Sequence, residues 1–68
     1  MNLTIETERE DDGRWVAEVP QLAGVLAYGF SEQEAMVKVE ALALRVLAER
    51  LEQGEATPMP LSIVLAAE

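Results

Sequence analysis

Cysteine and histidine are both absent from this chain. Without them there is no disulfide to staple the fold, no thiolate or imidazole ligand for a metal, and no Ser-His or Cys-His nucleophile. Basic residues are scarce as well: five Lys and Arg stand against thirteen Asp and Glu, a net charge of −8. Arg9 and Arg14 flank a turn, and Lys38, Arg45 and Arg50 are spread along a later segment, so no cationic cluster offsets repulsion by a phosphate backbone. Direct nucleic-acid binding is therefore not expected. No run of roughly 18 apolar residues could span a bilayer. Met1-Asn2-Leu3-Thr4 has neither the charged n-region nor the apolar run of a signal peptide. The expectation is a cytoplasmic protein without a membrane partner.

What is present is apolar material: half of the 68 residues are hydrophobic. A chain this short buries only about 60% of the surface it exposes when unfolded. Residues 1–68 read as a single domain, stabilised by helix packing and self-association. The acidity serves solubility on the simplest reading, and steering toward a basic partner on the sharper one.

From Asn2 to Arg9 the pattern alternates, with Leu3, Ile5 and Thr7 on one face and Thr4, Glu6 and Glu8 on the other. That is a strand with one buried face. Glu10-Asp11-Asp12-Gly13 is a hairpin turn, because an Asp-Gly pair between alternating runs readily supplies positive φ. Arg14 to Val19 alternates again, Trp15, Ala17 and Val19 opposing Arg14, Val16 and Glu18, until Pro20 removes a ladder N–H. A loop with Leu22 at its centre leads to a short third strand, Val25 to Tyr28, whose apolar run suggests partial cover on both faces.

Ser31 and Glu34 form a capping box, and Phe30 is placed to staple onto Ala35. Strong helix formers run from Glu32 to Gln53, Glu34 and Lys38 make a favourable i,i+4 pair, and Gly54 supplies a left-handed cap. Pro58 and Pro60 prevent continuation, and Leu61 to Ala66 reads as a fourth strand. The expected fold is α+β, β-β-β-α-β: a single mixed four-stranded sheet, order 3-2-1-4, packed on one long helix.

On a helical wheel, Ala35, Val39, Leu42 and Val46 form the stripe assigned to the sheet. Met36, Ala43 and Leu47 lie beside it, and Val37, Leu44, Ala48 and Leu51 lie further round. This arc exceeds the stripe of about 100° that one sheet covers. A homo-oligomer, dimer or tetramer, is expected, with Leu44, Leu47, Leu51 and Met36 as candidate interface residues.

With the elements in order, the run Asp11-Asp12-Gly13-Arg14-Trp15-Val16-Ala17-Glu18-Val19-Pro20-Gln21-Leu22-Ala23-Gly24-Val25 resembles the hallmark of HicB-like antitoxins. So does the tail Tyr28-Gly29-Phe30-Ser31-Glu32-Gln33-Glu34-Ala35, with its Gly, its Ser cap and its Glu-Ala pair. Ala23 stands where the family usually has a second proline. The resemblance implies a partly degraded ribonuclease-H-like fold that masks a HicA-type toxin, a small basic ribonuclease, in a type II toxin-antitoxin system. Candidate partner-binding residues are Glu6, Glu8, Glu18 and Tyr28. Many members of the family continue into a DNA-binding domain; the sequence here ends at Glu68, so no DNA-binding domain and no autorepression are carried over.

Two other functions compete. One is a stand-alone homo-oligomeric structural module without a toxin. The other is a metal-dependent nuclease, for which Glu6, Glu8, Glu18 and Glu40 are the carboxylates available. Two-metal chemistry needs several carboxylates converging on ions about 4 Å apart. Glu40 belongs to the helix side of the sheet and the other three to the solvated face, so they are not expected to converge. No enzyme activity, cofactor or metal is expected.

Overall fold

The computed structural model describes residues 2–54 and, as backbone, residues 62–66. Its elements are β1 (Asn2–Arg9), β2 (Trp15–Glu18), β3 (Leu26–Gly29), α1 (Glu32–Glu52) and β4 (Ser62–Ala66). Pro58, Pro60 and Leu61 lie outside the described residues.

β1, β2 and β3 form an antiparallel meander. Its register sets Thr7 beside Ala17 and Ala17 beside Ala27, so these small side chains stack in one row beneath the helix. Leu3, Ile5, Thr7 and Ala17 point the same way and are buried. The loop between β2 and β3 folds inward. Val19 N–H donates to Val25 O (3.0 Å), Leu22 N–H to Val19 O (3.0 Å) and Val25 N–H to Leu22 O (3.1 Å), and all three side chains are buried. Gln21 then bonds β1 beyond the end of β2: its Oε1 accepts from Thr4 N–H (3.2 Å) and its Nε2 donates to Thr4 Oγ1 (2.9 Å).

The expected helix on a four-stranded sheet is corrected. The layer packed on α1 is the three-stranded antiparallel unit β1-β2-β3, a small α+β fold. α1 lies against all three of these strands, and among the described residues no Cα of α1 comes within 8 Å of a Cα of β4. β4 runs parallel beside β1, from Asn2 opposite Ser62 to Glu6 opposite Ala66. The reason is width. A helix about 10 Å across covers two to three strands spaced about 4.8 Å apart, and the short Gly29–Ser31 connection starts α1 over β3, at the far edge from β4.

That start depends on Gly29. A Cβ there would sit 2.7 Å from the Ala35 backbone N and 2.9 Å from Glu34 Oε1, so only glycine lets the first turn lie this close. Ser31 Oγ accepts from Glu34 N–H (3.1 Å), the expected cap. The reciprocal bond differs from the expected box, since Glu34 Oε1 accepts from Phe30 N–H. The staple is corrected too: Phe30 is 84% exposed while Ala35 is fully buried, so the ring turns away from the helix. α1 ends at Glu52, and Gly54, two residues on, makes the left-handed turn at φ +74°.

The helix face on the sheet is wider than the stripe assigned from the wheel. Ala35, Val39 and Ala43 are buried, with Met36, Leu42, Val46 and Leu47 half-buried against the same core. Thr7 is the one buried polar residue among those described, and its hydroxyl donates to Glu32 Oε2 at 2.7 Å, tying the end of β1 to the helix N-terminus. No described helix is long and apolar enough to cross a membrane.

Candidate functional site

The sheet has one face under α1 and one that no described element covers. Alternation along β1 sends Thr4, Glu6 and Glu8 to the uncovered face, as it does Val16 and Glu18 of β2. The strand register then assembles them. Glu6 is opposite Glu18, which is opposite Leu26; Glu8 is opposite Val16, which is opposite Tyr28. Glu6, Glu8, Glu18 and Tyr28 therefore occupy two adjacent cross-strand rows of one surface. On the third strand, Leu26 and Tyr28 are 42% and 43% exposed on this face. The face combines three carboxylates with a short apolar step.

One cation enters this face. Asp12 Oδ1 accepts from Arg14 N–H (3.0 Å), and Asp12 Oδ2 from Arg14 Nε (2.8 Å). The Arg14 guanidinium in turn lies 5.1 Å from the Tyr28 ring centroid, a cation–π distance. The hairpin tip thus holds Arg14, and Arg14 holds the Tyr28 ring. The bond from the Arg14 backbone N–H, with that from its side chain, holds the Asp12 carboxyl below the ordinary carboxylate range. Gly13, at φ +91°, closes the turn that brings Asp12 back onto Arg14. The spacing Asp-Gly-Arg was the sequence signal for this clamp, and its Tyr28 partner is visible only once β2 and β3 are in register.

An open concavity of about 570 Å³ lies along the β1–β2 strand pair toward the helix N-terminus, lined by Glu6, Thr7, Glu8, Arg9, Trp15, Val16, Glu18 and Glu32. Trp15 packs partly on the core and partly forms this wall. Of the four nuclease carboxylates, Glu6, Glu8 and Glu18 share the uncovered face and Glu40 does not join them. Glu40 is exposed on α1, and among the described residues no three His, Cys, Asp or Glu side chains are grouped to hold a metal ion.

The four oligomer candidates divide. Leu44 and Leu51 are 45% and 50% exposed, whereas Met36 and Leu47 pack against the core. Val37, 60% exposed, lies on the outward side with the first two. Comparison with family models, curated proteins and solved structures gives no match to this chain.

Proposed function

We propose that this chain is a protein-binding module of the HicB antitoxin type, which presents the uncovered face of its sheet to a small basic ribonuclease toxin of the HicA type and masks it. The observation that carries this reading is the in-register grouping of Glu6, Glu8, Glu18 and Tyr28 on that face. A net charge of −8 steers a basic partner toward the molecule, and the three carboxylates give it a place to land. Leu26 and Tyr28 supply the apolar anchor that charged patches lack, with Tyr28 held in place by Arg14.

The cost of the arrangement supports the same reading. Directly opposed Glu6 and Glu18 are a like-charge cross-strand pair, destabilising by roughly 0.2–1 kcal/mol. A fold with so small a core gains nothing from that repulsion by itself. A cation supplied by a partner relieves it, so the pair lowers stability in the free chain and adds affinity in the complex.

The test is co-expression with a small basic HicA-type ribonuclease, taken from the neighbouring reading frame if one is encoded there. Rescue of growth and a co-purifying complex, both lost with the pair Glu6→Lys and Glu18→Lys, are the expected results. Rescue indifferent to those substitutions would move the binding surface elsewhere, and no rescue at all would end the antitoxin reading. The nuclease alternative is tested by RNA cleavage with magnesium or manganese, where activity lost in Glu6→Ala would overturn a purely binding role.

A further inference from the structure

The helix carries two apolar faces, and only one has a use so far. Val39 and Val46, pressed on the sheet, lie on the opposite side of α1 from Val37, Leu44 and Leu51. The outward residues recur at an interval of seven, and Ala41 and Ala48 fall between them at alternating steps of four and three. This is a heptad seam, with Val37, Leu44 and Leu51 at d and Ala41 and Ala48 at a. A helix that needed only to cover a sheet would follow the 3.6-residue period on one side and be polar on the other.

We propose that this seam docks a second copy of the same chain, with the two helices parallel. The occupant follows from three features. The seam is self-complementary, since knobs at d enter holes formed by the same pattern on an identical helix. Val39 and Val46 occupy f, the point of the wheel furthest from the seam, so the two sheets lie outside the helix pair and do not obstruct it. Alanine at a lets the helices approach closely, because the separation is set by the side chains at the contact.

Charge favours one direction. Glu40 stands at g and Arg45 at the e position of the following heptad, and both are exposed without an ion-pair partner among the described residues. In a parallel pair g faces the following e of the partner, so Glu40 meets Arg45 of the partner subunit twice by symmetry. An antiparallel pair centred on Leu44 sets e against e: Lys38 would meet Glu52 of the partner subunit, but Arg45 would meet Arg45 of the partner subunit and Glu40 would face no cation. The docking surface is on the other side of the molecule from the acidic sheet face, so this proposal does not rest on the antitoxin reading.

Sedimentation velocity on the full chain tests it. The wild type is expected to sediment as a dimer, and Leu44→Glu as a monomer with unchanged helical circular dichroism. Because the chain has no cysteine, a single introduced thiol reports direction even if Leu44→Glu fails to fold. Oxidised Val37→Cys alone, and Leu51→Cys alone, should each give covalent dimers. Glu40→Arg should weaken association by roughly five- to tenfold, and adding Arg45→Glu should restore it. A wild type that stays monomeric up to its solubility limit would overturn the proposal. Cross-linking only in the mixture of the two cysteine variants would overturn the parallel arrangement.

Discussion

Gly29→Ala adds one methyl group at the closest approach between β3 and α1. The new Cβ would meet the Ala35 backbone N at 2.7 Å and Glu34 Oε1 at 2.9 Å, both inside contact distance. Glu34 can move, but it then releases the Phe30 N–H that it now accepts. The Ala35 amide cannot move without the first turn of α1, which carries the Ser31 cap and the Glu32 bond to Thr7. Overpacking of this kind costs about 1–3 kcal/mol, a large share of the roughly 3–10 kcal/mol that a domain of this length commands. At about 2 kcal/mol, and 4–8 °C per kcal/mol for a small domain, Tm should fall by roughly 8–16 °C. Thermal melts followed by circular dichroism at 222 nm would measure it. A Tm within about 2 °C of the wild type would show that the close approach does not hold the helix start in place.

The same contacts generate smaller effects. Ser31→Ala should cost about 1 kcal/mol by leaving the Glu34 N–H without its cap, seen as a lower urea midpoint at unchanged m. Thr7→Val should cost about 1 kcal/mol, and a double-mutant cycle with Glu32→Ala should show the two losses to be shared. Glu6→Lys should raise stability by ~0.5 kcal/mol, turning a repulsive cross-strand pair into an attractive one, while weakening capture of a basic partner. Asp12 has an ordinary value of 3.8, and in the fold its pKa is depressed. Its contribution to the hairpin is therefore present above that value and lost as pH falls through the lower folded one. An NMR titration should find its midpoint below the usual carboxylate range, returning toward it in Arg14→Ala.

Local chemistry was the readable part of this sequence. Asp12-Gly13 placed the first turn, Ser31 and Glu34 placed the helix start, and Gly54 placed its end, because each residue is demanded by backbone geometry within a few positions. The grouping of Glu6, Glu8 and Glu18 on one face follows from strand alternation alone. Tyr28 joins them only through the β2–β3 register, which depends on the inward-folded loop around Leu22. The rotation of α1 was harder to read. When more than half a helix is apolar, periodicity does not say which part meets the sheet, and Met36 and Leu47 turned out to lie on the core side while Val37 faces outward. Phe30 shows the same limit, since the Glu34 carboxylate took the Phe30 N–H and the ring turned out to solvent. The reach of the helix was not readable either: where it starts over β3 decides that its footprint ends before β4.

The molecule exposes two opposed surfaces, the acidic sheet face proposed for a basic partner and the helix seam proposed for a second copy. A dilution series of the isotope-labelled chain, followed by amide shifts, tests that division most directly. Concentration-dependent shifts should cluster at Val37, Ala41, Leu44, Ala48 and Leu51, while Glu6, Glu18, Leu26 and Tyr28 stay fixed. Shifts concentrated on the sheet residues instead would mean that the chain covers with itself the face assigned to its partner.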